Sequence, residues 1–145
     1  MVVSGVVVKR LSAGDETEVR RFDEAFDEAV DGELAARFLS DDRHHLVVAY
    51  VDGEPAGFVS ATEIFHPDKP TELFLNELAV LPAYRRRGAA TSLLEELKHL
   101  AKEYGCVSIW VLTDEANEAA LASYRKAGGV WDGATKVMFE IDLMR

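Results

Sequence analysis

Three scarcities bound what this chain of 145 residues does. It carries one cysteine, Cys106, so an internal disulfide is excluded. A lone thiol in an apolar segment reads as a small core residue of a protein kept in a reducing cytoplasm. No apolar run reaches the roughly 18 residues of a bilayer span, so no membrane helix is expected. The opening "MVVSGVVVKR" lacks the charged start and small-residue cleavage site of a secretion signal, and no leader is expected either. Positive charge is the third scarcity: 16 Lys and Arg stand against 26 Asp and Glu, a net charge of −10. Nucleic acid is thereby disfavoured as a partner, because phosphate backbones demand a basic surface.

What is present is acid, and it is clustered. Between residues 15 and 42 there are eleven acids against three arginines, which places −8 of the −10 in one stretch. Taken singly, each acid is best read as part of a solvated helix face. Together they make a field that draws in cations, so a cationic substrate or partner competes with the solubility reading. The hydrophobic fraction of 48% is that of a globular domain, and with no repeat, linker or low-complexity tract we expect one domain over 1–145.

Periodicity divides the chain into short alternating elements. "GVVVKRL" (5–11) is β-branched and reads as a first strand. Ser12 and Asp15 are placed to cap a helix in which Val19, Phe22, Phe26 and Ala29 recur at helical spacing. A second helix follows over 31–40, with Leu34, Phe38 and Leu39 inward. "HHLVVAYV" and "PAGFVSATEIF" flank "DGE" (52–54), the turn chemistry of an antiparallel hairpin. "HPDKPT" (66–71) is a loop, and "ELFLNELAV" (72–80) is a strand ended by Pro82. Leu93, Leu94, Leu97, Leu100 and Tyr104 mark an amphipathic helix that Gly105 stops. The remainder reads as a buried strand (106–113), a short helix (117–129) and a final strand (135–143). The His44–His45 pair points to opposite strand faces, and His66 and His99 lack partners at ligand spacing, so no metal is expected.

The basic residues are concentrated too. "YRRRGAAT" (84–91) sets Arg85, Arg86 and Arg87 directly before Gly88 and a small-residue helix start. The first turn of a helix has unpaired N–H groups and the positive end of the helix dipole, which suits an anion. Gly88, Ala89 and Ala90 leave those N–H groups open to a phosphate, and arginine matches phosphate geometry. Neither G-x-x-x-x-G-K-[ST] nor G-x-G-x-x-G is present, which removes the nucleoside triphosphatase and dinucleotide readings.

Strand, arginine-glycine loop and helix, in that order, resemble the GCN5-related N-acetyltransferase (GNAT) superfamily. Its R/Q-x-x-G-x-G/A pattern is met by Arg85, Gly88 and Ala90 in "LAVLPAYRRRGAATSLL". A second pattern, N-x-x-A-x-x-x-Y-x-K-x-G, is met by Asn117, Ala120, Tyr124, Lys126 and Gly128 in "NEAALASYRKAGG"; Gly129 departs from the large apolar residue usual there. The resemblance covers 44–143 well and the acidic N-terminal segment loosely. Within the superfamily the chain looks closest to aminoglycoside 3-N-acetyltransferases of the gentamicin-acetylating type. That implies an α/β (α+β) fold: a mixed, mostly antiparallel sheet of six or seven strands, splayed between its fourth (72–80) and fifth (106–113), with about four helices around it.

The resemblance also implies a chemistry, transfer of acetyl from acetyl-coenzyme A to an amine. The pantetheine arm would pair with the open edge at Leu78, Ala79 and Val80, and the diphosphate would sit on the N–H groups of Arg86, Arg87, Gly88, Ala89, Ala90 and Thr91, with Arg85 beside them. Asn117 and Ala120 would touch the arm. Glu77 is the first choice of base for the attacking ammonium and Asp114 the second; the Val80 N–H would meet the developing oxyanion, and Tyr124 would return a proton to the leaving thiolate. Asn76, Glu77, Asp114 and Glu115 are candidates to bind the acceptor. From the residues alone, Glu77 reads first as an exposed strand residue, since parity with a bulge leaves its face undecided. Tyr124 on those terms is a core residue, and Asp114 a helix cap.

The acceptor expected is a polycationic small molecule, an aminoglycoside acetylated at a 3-amine. A polyamine, another small amine or a protein N-terminus is the alternative, and a coenzyme A-binding module without turnover is the non-enzymatic one. A homodimer joined through the last strand is a further expectation that the resemblance carries.

Overall fold

The structure, a computed structural model, describes residues 2, 3 and 5–144, in two compact units, Met1–Val111 and Leu112–Arg145. The first is built on a sheet. Strands β1 (Val2–Val3), β2 (Val6–Leu11), β3 (His44–Val51), β4 (Glu54–Ile64) and β5 (Glu72–Val80) pair antiparallel with their neighbours, and β6 (Ile109–Trp110) joins β5 in parallel. Chain order is spatial order throughout. Asp52 and Gly53, both at positive φ (50° and 83°), make the two-residue β3–β4 turn that "DGE" predicts.

Each face of the sheet is covered by a different helical segment. Leu46, Val48 and Phe58 pack with Val19 of α1 (Glu16–Arg20), with Phe22, and with Leu39 of α2 (Gly32–Ser40). Alternate residues, Val47, Ala49, Val59 and Ala61, turn to the other face. There α3 (Ala89–Glu103) lies across β2–β5 and buries Leu93, Leu97 and Leu100 completely or nearly so, each contributing about 1.5–3 kcal/mol. Arg10 of β2 clamps α3 with Nε 2.6 Å from Glu96 and Nη1 2.7 Å from Glu103. On the opposite face the Tyr50 hydroxyl donates to Glu18, tying α1 to β3.

Four sequence expectations are corrected here. The helix expected to carry Val19 through Ala29 stops at Arg20; a 3-10 turn (Asp23–Ala25) follows, and Phe26 is already extended. Asp23 accepts from the Val30 N–H, the kind of side-chain bond by which aspartate competes with helix continuation. Leu34, expected inward, is 66% exposed. The strand expected over 106–113 is paired at only two positions, Leu73 with Ile109 and Phe74 with Trp110, and Trp110 is 40% exposed.

The fourth correction belongs to the second unit. It holds α4 (Glu118–Lys126), capped by Asn117 Oδ1 on the Ala120 N–H at 3.1 Å. The helix closes with Gly128 N–H on Arg125 O and Gly129 N–H on Tyr124 O, the paired bonds that a left-handed Gly128 (φ 101°) permits. Residues 135–143 form no strand: the apolar-acid alternation is there, yet a strand exists only through a partner's ladder. Val137, Phe139 and Ile141 are 72–87% exposed.

Candidate functional site

One inserted residue decides which way the key carboxylate faces. In β5, Leu73 and Leu75 are buried toward α3, so strict alternation would send Glu77 the same way. The register shifts instead: Ala61 pairs with Leu75, Ser60 pairs with Glu77, and Asn76 is left over. This β-bulge turns Glu77 to the side of Ser60 and Ala79, under the α1–α2 segment. Asn76, next to it, donates to Thr62 Oγ1 at 2.8 Å.

Glu77 faces a cavity of about 370 Å³. Its walls are Val19, Phe26, Ala29, Val30, Leu34, Ala35, Phe38, Leu39 and Leu46; its polar groups are Asp27, Glu28, Asp31, Ser60 and Glu77. No Lys, Arg or His lines it. Glu77 itself remains exposed, yet partial desolvation beside these groups, and secondarily the negative charge of Asp27, hold its carboxyl above the usual range. A carboxylate so shifted is a better proton acceptor near neutrality. The chain does not continue as helix after Ala25, and the irregular run from Phe26 to Asp31 supplies six of the lining residues.

At the other end of β5 lies the loop expected to cradle an anion. Leu78, Ala79 and Val80 pair with Val59, Phe58 and Gly57 of β4, but β6 pairs with β5 only at residues 73 and 74, leaving the opposite edge from Leu75 to Val80 without a strand partner among the described residues. Close approach of β4 and β5 here depends on Gly57, where a Cβ would come within 2.3 Å of the Ala79 carbonyl oxygen. The chain then passes through a 3-10 turn (Pro82–Tyr84) and enters α3 through Arg86 (φ 62°) and Gly88 (φ 88°), with no side chain capping the helix. Uncapped first-turn N–H groups beside Ala89 and Ala90 suit a diphosphate, as the sequence predicts.

The three arginines differ. Arg87 Nη2 is 3.0 Å from Asp52 in the β3–β4 turn, so this residue braces the loop. Arg85 Nε donates to the Val80 carbonyl at 3.4 Å. Arg86 makes no side-chain hydrogen bond or ion pair among the described residues, which leaves its guanidinium to a ligand.

The remaining candidates lie in the second unit. Tyr124 is half-buried on α4, and burial raises its hydroxyl above the ordinary tyrosine range, so it stays protonated at neutral pH. Asp114 accepts from the Ala116 N–H at 2.8 Å, a local turn bond, and Glu115 is exposed. Sequence reasoning missed Ser60, Asp27 and the brace from Asp52. Asp27 was legible only as one of eleven acids; Ser60 carried no signal, because its face depends on the bulge opposite.

Of the adjacent histidines, His45 is buried against Glu63 (2.8 Å), and His44 stacks on Phe38. Among the described residues no group of three or more His, Cys, Asp or Glu is arranged to hold an ion.

Comparison with known proteins bears on this geometry. The model of the acetyltransferase (GNAT) family matches residues 11–129. An uncharacterized N-acetyltransferase of Mycobacterium tuberculosis is 31% identical over 93 residues, 64% of this chain and 57% of that protein. The spermidine N(1)-acetyltransferase of Escherichia coli is 29% identical over 113 residues, 74% of this chain and again 57% of that protein. The chain thus spans little more than half the length of these curated relatives. Among solved structures, an aminoglycoside acetyltransferase from an uncultured soil metagenomic sample superposes with a TM-score of 0.79 at 31% identity, covering 94% of this chain and 99% of that one.

Proposed function

This chain belongs to the acetyltransferase (GNAT) family, and from that premise we propose that it transfers acetyl from acetyl-coenzyme A to an amine of a polycationic small molecule, with an aminoglycoside as the first acceptor to test. The observation that carries the reading is the division of labour along β5. Its bulge presents Glu77 to a cavity free of basic groups, and its open edge runs on into an uncapped helix start.

Acetyl-coenzyme A supplies the acetyl thioester. The N–H groups from Arg86 to Thr91 would hold its diphosphate, with the Arg86 guanidinium adding charge, and the Leu78–Val80 edge would pair with its pantetheine arm. Acids lining the cavity draw in a cation. Glu77, directly or through one water, takes the proton from the ammonium, because only the neutral amine is a nucleophile. The Val80 N–H is the donor for charge that develops on the carbonyl oxygen, and Tyr124 is the group that returns a proton to the thiolate. Asn117 and Ala120, on the same helix as Tyr124, are proposed to touch the arm, and Asn76, Asp114 and Glu115 to meet the acceptor's outer ammonium groups.

Two observations favour a polyamine as the second reading: the similarity to a spermidine N(1)-acetyltransferase, and the apolar character of the cavity walls. The test is release of free thiol from acetyl-coenzyme A with a panel of aminoglycosides and polyamines, followed by Glu77→Gln. Thiol release that needs an amine and drops by roughly a hundred-fold in the variant is expected. If no aminoglycoside raises the rate above background hydrolysis, the antibiotic reading is lost; a silent panel with normal cofactor binding would leave a non-catalytic coenzyme A-binding module.

A further inference from the structure

Ser60 is the odd residue in the cavity. It lies in the middle of β4 at 7% exposure, directly across from Glu77 in the β4–β5 register, and it lines the cavity. Its hydroxyl makes no hydrogen bond to any described residue. The hydroxyl is not closed off as the Ser92 hydroxyl is; it is open to the cavity, so its hydrogen bond is left to what enters there.

The walls restrict what that can be. Nine of the fourteen lining residues are apolar, and the polar remainder consists of four carboxylates and Ser60. A carboxylate accepts hydrogen bonds and donates none when ionised, so Ser60 is the only hydroxyl donor in the lining. A hydroxylated sugar ring pushed into this space could donate to the carboxylates, but its hydroxyls turned to the nine apolar residues would lose water without gaining a partner. An amine on a methylene arm brings one polar group, at its tip, and lays hydrocarbon against Phe26, Phe38 and Leu46.

We infer that the cavity selects a primary amine carried at the end of an aliphatic arm, and that Ser60 Oγ binds the nitrogen jointly with Glu77. The inference rests on the acetyltransferase reading above and deepens it. It departs from the ring-bound 3-amine that the sequence resemblance suggests: an acceptor rich in sugar hydroxyls would leave its rings outside and insert only an aminoalkyl arm. Asp27 and Asp31, lining the same space, would then meet a second ammonium of the acceptor.

The experiment compares two diamines. In 1,5-diaminopentane both nitrogens end a methylene chain; in 2-deoxystreptamine both sit directly on a hydroxylated ring. Thiol release is followed for each with wild type, Ser60→Ala and Ser60→Thr, and acetyl-coenzyme A affinity is measured separately by calorimetry. We expect kcat/KM at least ten-fold higher for the chain diamine. Ser60→Ala should raise its KM by roughly ten-fold, as loss of one hydrogen bond to an amine would, with cofactor affinity and melting temperature unchanged. Ser60→Thr, which keeps the hydroxyl, should recover most of the loss. Equal use of the two diamines, or an unchanged KM in Ser60→Ala, would overturn the inference and leave the acetyltransferase reading standing. No heat on adding acetyl-coenzyme A to the wild type would overturn both.

Discussion

Replacing Gly57 by alanine should damage the cofactor edge far more than it damages the fold. A Cβ built on Gly57 lies 2.3 Å from the Ala79 carbonyl oxygen, 3.0 Å from Val80 Cα and 3.2 Å from Val80 Cγ2. Ordinary contact begins at 3.4 Å, so the nearest pair must separate by 3.4 − 2.3 = 1.1 Å. Two of the three obstacles are backbone atoms and cannot rotate aside; β5 itself has to move, at the segment whose open edge is assigned to the pantetheine arm. Overpacking of this kind costs about 1–3 kcal/mol. At roughly 3 °C per kcal/mol for a chain of this length, the melting temperature should fall by about 3–9 °C. A displacement near 1 Å at a reacting centre lowers turnover by up to about a hundred-fold. Gly53→Ala is the control. Gly53 sits at φ 83° in the β3–β4 turn with nothing within 4 Å of its Cβ position, so alanine there strains the backbone without pushing β5. Both variants should melt early, and only Gly57→Ala should lose affinity for acetyl-coenzyme A in calorimetry. Wild-type affinity in a folded Gly57→Ala would refute the assignment of the Leu78–Val80 edge.

Three further outcomes follow from the same geometry. Asp27→Asn removes a like charge that raises the Glu77 pKa, so the acid limb of the kcat/KM–pH profile should move to lower pH; no movement, or movement upward, would separate Glu77 from that limb. Arg10→Met breaks the clamp on Glu96 and Glu103 and leaves two acids adjacent; the melting temperature should fall, and fall less in 1 M salt, while an unchanged melt would show that the clamp adds nothing to the fold. Tyr124→Phe should lower kcat by roughly a hundred-fold with acetyl-coenzyme A affinity unchanged, and a wild-type kcat would remove Tyr124 from proton transfer.

What was legible in the sequence is what local chemistry dictates. The Asp52-Gly53 turn, the leucine stripe of α3 and the stop at Gly105 each depend on residues within a few positions of one another. The arginine-glycine loop was equally readable, because a small-residue helix start after a strand needs no distant partner to define it. Its internal differences were not. Arg87 is held by Asp52 from 35 residues away, and nothing in "RRRG" distinguishes it from Arg86. The same limit explains the failure over 135–143: alternation states which residues would share a face, while strand formation depends on a neighbouring ladder.

The site itself turns on such a non-local term. Read with period two, "ELFLNELAV" puts Glu77 beside Leu73 and Leu75, facing α3, where an unpaired carboxylate would be expelled. Asn76 is the residue that escapes the period, and it does so only because β4 sets Ser60 opposite Glu77 and Ala61 opposite Leu75. Were the strand paired without the bulge, Asn76 would stand opposite Ser60 and Glu77 would return to the leucine face. The bulge is therefore as much a part of the site as the carboxylate it aims. Exchanging the two residues, Asn76→Glu with Glu77→Asn, moves the carboxylate onto the leftover position, and should cost amine transfer even in a protein that keeps its sheet and still binds acetyl-coenzyme A at the helix beyond.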